Sequence, residues 1–335
     1  MRFDHIHIAV VGDVLFDRFE KGVISPRKNP ENPPNREVPI VWAVEEFFLG
    51  GATNVARNIV SLGAGCDIYG VVGKDLYGRE ISRLCDLSNI GPKLFFDNQS
   101  TIVKAREFID GKYMHRTDIG ETDEFGNNTL RKIDDDLQNT ILRSLEENIG
   151  RYHGLLLSDY DKVMFTESFA QGIISLANKR RIPVLADPKP KNVDFFKGCT
   201  VVCPNAGEAE KITGISYSND NETLLNMAMK IHERVGCRYI VITCGKDGAF
   251  VYDNGKSKME KTIAKNVVDF TGAGDTYAAA LLTGLASGMD IFRAAEIANI
   301  SAGLVVEKYG TAVTNVNEIR DYFEKNKEVI TELSD

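Results

Sequence analysis

The stretch Asp269-Phe270-Thr271-Gly272-Ala273-Gly274-Asp275 carries the residues best suited to chemistry. Gly272, Ala273 and Gly274 leave backbone N–H groups unobstructed, and the Ala/Leu run from Tyr277 to Leu282 has strong helix propensity. Amides at a helix start sit at the positive end of its dipole, so the turn is a ready anion site. Asp275 lies just inside that end. Amides there would hold a transferring phosphoryl group while Asp275 takes the proton of an attacking hydroxyl. A carboxylate in this position also neutralises the helix dipole with no chemistry at all, and a glycine turn alone is a weak signal. The β-prone residues Ile263 to Val268 predict an extended segment leading into the turn.

A second cluster lies near the N-terminus. Leu49-Gly50-Gly51-Ala52-Thr53-Asn54 opens a helix whose core face is Val55, Ile59 and Leu62, with Gly63 as its stop. Gly50 and Gly51 allow a ligand close to the backbone, and Asn54 and Asn58 stand one turn apart. Asp13 ends the first strand, where open α/β sheets bind ligands. Its carboxylate matches the paired hydroxyls of a sugar, or it caps a turn. Ser158-Asp159-Tyr160 and Asp187-Pro188-Lys189 stop later strands at the same predicted edge. Lys104, Arg106 and Arg116 put cations on neighbouring strands, as solvated faces or as contacts to an anionic substrate group.

The spacing Asp-x-Thr-Gly-Ala-Gly-Asp resembles the C-terminal signature of the ribokinase-like (PfkB) family of ATP-dependent sugar kinases, and Gly50 to Asn54 resembles its N-terminal one. The resemblance runs from about Ile6 to Ile319. It implies that Asp275 is the base and that Gly272, Ala273 and Gly274 form the anion turn. Asp13, Gly50, Gly51 and Asn54 would bind the sugar. Asn205-Ala206-Gly207-Glu208 resembles the family's Asn-x-x-Glu element, which implies Mg²⁺ held by Glu208 through water. Thr243, Gly245 and Gly248 resemble the turn that holds the ATP phosphates and ribose, and Asn299 is placed like residues beside the adenine. Asp269, Thr271 and Gly310 lie where many relatives hold a monovalent cation, so K⁺ joins ATP and Mg²⁺ as a candidate cofactor. Several pieces, among them Ile24-Ser25-Pro26, Val38-Pro39-Ile40-Val41, Leu157-Ser158-Asp159-Tyr160 and Asp187-Pro188-Lys189, resemble the D-glycero-β-D-manno-heptose-7-phosphate kinase branch that feeds ADP-heptose synthesis. That likeness makes Lys104 and Lys189 candidates for the sugar's distal phosphate, with Arg106 beside them. Two departures stand out: an insertion between Pro26 and Val38, and the lack of the nucleotidyltransferase domain fused to many relatives. The second implies that a separate nucleotidyltransferase acts next. The family also implies a homodimer paired through the lid.

Composition narrows the alternatives. With 335 residues, 43% hydrophobic and 26% charged, the chain suits one α/β domain, residues 1–335, with a small appendage. A formal net charge of −8 argues against nucleic acid or an anionic membrane as partner. Six cysteines form no Cys-x-x-Cys pair and five histidines show no metal spacing, which fits a reduced, cytoplasmic protein. The N-terminus does not read as a signal peptide, and no apolar run is long enough to span a membrane. Neither a Gly-x-Gly-x-x-Gly dinucleotide turn nor a P-loop is present.

These residues need a scaffold. Apolar runs predict strands at Ile6 to Val11, Cys66 to Gly73, Gly154 to Leu157, Pro183 to Ala186, Thr200 to Cys203, Tyr239 to Thr243 and Ala249 to Tyr252. Helical patterns alternate with them, which predicts a ribokinase-like, mostly parallel sheet flanked by helices. Short β-like pieces at Arg18 to Ile24 and Val38 to Val44 flank a polar loop, and five of the ten prolines fall between Pro26 and Pro39. With Thr101 to Phe108 and Lys112 to Arg116, joined by Asp110-Gly111, they predict a β-strand lid drawn from about 14–48 and 99–118.

Overall fold

The computed structural model describes residues 2–24, 40–122, 127–130 and 132–326. The proline-rich stretch 25–39 lies outside them. Among the described residues, nine strands form one large sheet in the order β13 (Lys256–Glu260), β12 (Ala249–Asp253), β11 (Tyr239–Thr243), β10 (Val201–Val202), β9 (Val184–Asp187), β8 (Gly154–Ser158), β1 (His7–Gly12), β4 (Gly65–Gly73) and β5 (Gly91–Asp97). Neighbours are parallel from β11 through to β5, and β12 and β13 add an antiparallel edge.

The central strands are apolar on both faces because both are covered. Side chains alternate across a strand. Ile8 and Val10 therefore pack under α1 (Ala52–Ser61), α7 (Ala273–Ala286) and α8 (Ile291–Val305), with α2 (Leu76–Leu87) and α9 (Val316–Lys325) on the same side. Ala9 and Val11 face α3 (Asp135–Asn148), α4 (Glu167–Arg180), α5 (Ala206–Thr213) and α6 (Asn221–Val235). Parallel register brings Gly12 beside Ser158 and Ser158 beside Asp187, so Asp13, Asp159 and Asp187 crowd one sheet edge.

A second sheet, β3 (Ile40–Gly51), β2 (Val14–Ile24), β6 (Val103–Ile109) and β7 (Lys112–Ile119), forms the lid. It is mixed, since β2 and β6 run parallel. Asp110 and Gly111, at φ 48 and 75, make the tight turn their sequence predicts. The lid strands exceed expectation: β2 starts at Val14, and β3 runs on to Gly51 and straight into α1. The extended segment expected at 263–268 is irregular instead. Val268 and Asp269 donate their N–H groups to the Val306 carbonyl at the end of α8, not to a strand. Val267 and Val268 are each 60% exposed. β5, β13 and α5 are additions to the predicted elements.

At the sheet edge away from Asp13, Asp67 is buried in a polar network. It accepts from Tyr152 Oη at 2.7 Å and pairs with His7 Nε2 at 3.2 Å, and the Tyr69 and Tyr152 hydroxyls lie 2.9 Å apart. Burial works to raise its carboxyl, but these hydrogen bonds outweigh it and hold the group below the usual carboxylate range. Asp67→Ala strands a buried phenol, so it is expected to cost about 1–3 kcal/mol in a urea-unfolding experiment. A stability change within error would show that the network carries no load.

Candidate active site

Three cavities meet in line at the carboxyl edge of the large sheet. The largest, about 610 Å³, is bounded by Asn205, Thr243, Gly245, Gly248 and Asn299 and by the apolar walls Val267, Phe270 and Val306. It shares Asn205, Thr243 and Gly274 with a polar cavity of about 180 Å³, which adds Asp187, Lys189 and Glu208. That one shares Tyr160, Gly272 and Asp275 with a third of about 140 Å³, between the large sheet and the lid, where Asp17, Gly51, Asn54, Lys104, Arg106 and Thr311 face inward. Asp275 thus stands at the junction of the second and third.

The junction is built by two helix starts. Gly272 caps α7 at φ 80, and a Cβ there would lie 2.8 Å from Asn54 Nδ2, so the turn requires glycine. The Ala273 N–H is taken by the Phe270 carbonyl at 3.2 Å. The N–H groups of Gly274 and Asp275, in the first turn, have no backbone partner of their own. The Asp275 carboxylate is buried. Its Oδ2 accepts from Asn54 Nδ2 at 2.7 Å and its Oδ1 from Tyr160 Oη at 2.6 Å. Burial pushes its carboxyl up, with the Asp17 charge adding to that, while the Tyr160 and Asn54 bonds and the Lys189 charge act against it.

The acceptor-side cavity holds a correction. Asp13 does not line it. Its Oδ2 accepts from the N–H groups of Tyr160 and Lys162 at 2.9 and 3.1 Å, and its Oδ1 from those of Val163 and Met164 at 2.9 and 2.8 Å. The carboxylate is spent on the loop after β8 and is buried. The carboxylate that does face the cavity is Asp17, on β2 and ion-paired with Arg106. A Cβ on Gly50 would lie 2.4 Å from Asp17 Oδ2, so Gly50 makes room for that carboxylate and does not itself line the cavity. Lys104 makes no ion pair among the described residues, and burial lowers its pKa. Asn54 Oδ1 and Thr311 Oγ1 are buried without a hydrogen-bond partner. Buried polar atoms are normally paired with protein, water or a ligand.

In the middle cavity Lys189 Nζ donates to Glu208 Oε1 at 2.6 Å, so Lys189 lines this cavity and not the one under the lid. Glu208 Oε2 accepts from the Asn205 N–H at 3.0 Å while Asn205 Oδ1 caps α5 through the Glu208 N–H at 2.9 Å. Burial, then the Glu208 charge, raises the Asp187 carboxyl to about 8. A divalent cation fits this donor set: carboxylates face the cavity, and Mg²⁺ bound to nucleotide phosphates needs few protein ligands. Among the described residues no cluster of three or more His, Cys, Asp or Glu side chains could hold a metal without such phosphates. In the largest of the three cavities, Asn299 Nδ2 also ties down the Lys261 carbonyl at 2.6 Å.

Two of the three residues expected around a monovalent cation have partners of their own. Asp269 Oδ1 accepts from the Thr271 N–H at 2.9 Å and Oδ2 from the Gly310 N–H at 3.1 Å. The Gly310 carbonyl takes the Ala312 N–H at 2.8 Å, and the Thr311 and Val313 carbonyls take Arg57 Nη2 at 2.6 Å and Lys308 Nζ at 2.9 Å. Side-chain cations hold the Thr311 and Val313 carbonyls and backbone N–H groups meet Asp269 and the Gly310 carbonyl, so a K⁺ bound here would share acceptors already in use.

Asp17 and Thr311 are cavity residues that the sequence reading missed, whereas Tyr160 and Asp187 were placed at the ligand edge without a role. Asp17 had a visible signal, a carboxylate directly after the apolar run Val14-Leu15-Phe16. Thr311 had none.

The profile of the family described as pfkB family carbohydrate kinase matches residues 7–318. The bifunctional protein HldE of Aliarcobacter butzleri (strain RM4018) is 33% identical over 319 residues, 94% of this chain and 64% of the relative. The HldE of Sulfurimonas denitrificans (strain ATCC 33889 / DSM 1251) is 34% identical over the same shares. The chain therefore spans about 64% of the length of these relatives. Among solved structures, Arabidopsis thaliana ribokinase complexed with ribose and ATP superposes with a TM-score of 0.71 at 20% identity, covering 96% of this chain and 98% of that one. Phosphofructokinase-2 from Escherichia coli in complex with potassium gives 0.74 at 16% identity, over 96% and 99%. No helix among the described residues is long and apolar enough to cross a membrane.

Two outcomes are expected. Replacing K⁺ by tetramethylammonium at constant ionic strength should change turnover by less than about two-fold, since Arg57 and Lys308 already hold the loop carbonyls. A ten-fold loss would restore the cation site. For Asp187, the folded-state carboxyl lies above its unfolded value, so stability falls as pH rises toward about 8. The stabilising effect of Asp187→Asn on the ligand-free protein should therefore grow from pH 5 to pH 8 and then level off in thermal melts. A pH-independent difference would rule this out.

Proposed function

The chain belongs to the pfkB family of carbohydrate kinases and is a phosphotransferase with a hydroxyl acceptor; from that premise we propose that it transfers the γ-phosphoryl group of ATP to a hydroxyl of a phosphorylated sugar. The anomeric hydroxyl of D-glycero-D-manno-heptose 7-phosphate is the acceptor this reading names. The observation that carries it is the single carboxylate, Asp275, at the meeting point of a cavity walled for a nucleotide's phosphates and one with unpaired hydroxyl partners.

The nucleotide occupies the large cleft, with its phosphates running past Thr243 and Asn205 toward the α7 turn. The Gly274 and Asp275 amides receive charge that builds on the transferring group, at the positive end of α7. The sugar lies under the lid, where Asp17, Asn54 and Thr311 supply acceptors and donors for its hydroxyls. Lys104, an unpaired cation in a low-dielectric pocket, is the partner for an acceptor phosphate. Asp275 orients the attacking hydroxyl and takes its proton. In a loose transition state that proton leaves late, so the base needs placement more than strength. Glu208 and Asp187 would hold Mg²⁺, which supplies charge neutralisation on the phosphates when bound.

The resemblance to the heptose-7-phosphate kinase branch and the similarity to HldE support the heptose acceptor. Lys104, which has no ion pair among the described residues, favours a phosphorylated sugar over a neutral one. Exposed Val23, Val44, Phe47, Tyr113 and Met114 on the lid support pairing of two copies through that sheet.

A screen of sugars and sugar phosphates, with ADP release as the readout, tests the assignment. Heptose 7-phosphate is expected to give the highest kcat/KM. Best turnover on an unphosphorylated sugar would overturn the role of Lys104. Asp275→Asn should lower kcat by at least about 10² while leaving the melting temperature nearly unchanged. Lys104→Met should raise the acceptor KM by about 10–100-fold through loss of a charge-assisted bond, with the ATP KM unaffected.

A further inference from the structure

Tyr160 lies on the wall between the acceptor and phosphate cavities, and the transfer scheme leaves it without a task. Its phenol donates to Asp275 Oδ1 at 2.6 Å. The Nζ atoms of Lys104 and Lys189 stand 5.5 and 5.4 Å from its ring centre, one from each cavity. Its backbone is held with equal care. The Tyr160 N–H donates to Asp13, as do those of Lys162, Val163 and Met164. Asp159, also buried, takes the Asp161 N–H at 2.7 Å and the Lys189 N–H at 3.0 Å. Two buried carboxylates thus fix the loop that aims one phenol at the base.

We infer that Tyr160 is a positioning residue: its hydroxyl clamps the Asp275 carboxylate against Asn54, so that the oxygen lone pairs left free face the acceptor hydroxyl. An ionised carboxylate has about four acceptor sites. Asn54 uses one on Oδ2 and Tyr160 one on Oδ1. Rotating the group breaks both charge-assisted bonds, whereas without the phenol it pivots on Asn54 alone. The two ammonium groups over the ring hold its plane. The geometry stands by itself, and only the kinetic readout rests on the transfer reaction proposed above.

The clamp has an electrostatic signature as well. The groups facing Asp275 are Asp17 from β2, Asn54 from α1, Tyr160 from the loop after β8, and Asp187 and Lys189 at the end of β9. Burial and Asp17 disfavour its charged form, and the phenol is the first of the contributions that favour it. Loss of the phenol therefore moves the carboxyl further up. The anion is the proton-accepting form, so the acid limb of the rate profile moves to higher pH.

The test is a double-mutant cycle of Tyr160→Phe and Asp275→Asn, in which the phenylalanine keeps the ring and both lysine contacts. Tyr160→Phe alone should lower kcat by about 10–100-fold with the ATP KM within about two-fold, and should shift the acid limb upward. In the Asp275→Asn background it should change the rate by less than about two-fold, because the group it positions has gone. The same loss in both backgrounds would overturn the inference. A substrate-free readout runs beside it: NMR titration of protein carrying ¹³C-carboxyl aspartate, with the Asp275 resonance assigned by its absence from Asp275→Asn. Its midpoint should rise in Tyr160→Phe, and an unchanged midpoint would overturn the clamp. A wild-type protein that phosphorylates no sugar would overturn the transfer reading alone, with the titration still deciding Tyr160.

Discussion

The bonds between two helix starts far apart in the chain govern this structure. Asn54 on α1 reaches Asp275 on α7 across 221 residues of sequence, and Thr276 Oγ1 reaches Asn58 Oδ1 at 2.8 Å across 218. A buried carboxylate is costly unless its lone pairs are met, so these contacts are the condition on which α7 can present a charge inside the protein. Everything near the junction serves that condition. The sheet edge supplies the loop that carries Tyr160, β3 delivers Gly51 as the cap of α1, and β2 brings Asp17 over the top. The rest of α7 is largely apolar and packs between the sheet and α8, so only its N-terminal end, through Tyr277, lines the cavities.

Most of the scaffold was legible because it is written in local patterns. The run Ile8-Ala9-Val10-Val11 announces a strand covered on both faces, and the spacing of Val55, Ile59 and Leu62 announces a helix face. The glycine turn and Asp275 were legible for the same reason, since a strained cap and the helix it opens are neighbours in sequence. The Ile263 to Val268 segment misled because β propensity describes what packs on a half-buried surface, and here that surface is a cleft wall and the end of α8. β5 was hidden by a Gly91-Pro92 start that an edge strand tolerates. α5 is signalled by its capping box, Asn205 with Glu208, and Glu208 stands in its first turn.

The exchange of Asp13 for Asp17 shows where local reading stops. Both are carboxylates near the end of the first strand, and composition cannot tell them apart. What separates them is who supplies hydrogen-bond donors. For Asp13 they are backbone amides 147 to 151 residues away, brought close only when β8 pairs with β1. For Asp17 the partner is Arg106, reached because β2 pairs with β6 and not only with its sequence neighbour β3. A carboxylate saturated by amides is structural, and one facing a guanidinium at a cavity wall can exchange that partner for a ligand. The distinction is tertiary in both cases.

The same reasoning extends to how the site tells its ligands apart. The chain carries a formal charge of −8, so an anion is not drawn in by the field of the whole molecule. At ordinary ionic strength that field fades over about 10 Å. Inside the cleft the balance differs from cavity to cavity. Lys189 is already committed to Glu208, so the middle cavity has little positive charge to spare for an anion. Lys104, by contrast, is desolvated and unpaired. On the proposed reading, the cation without an ion pair among the described residues sits on the acceptor side, and the phosphate side gains its counter-charge along with the nucleotide. Recognition is therefore made at contact distance, with each half of the cleft set for a different anion.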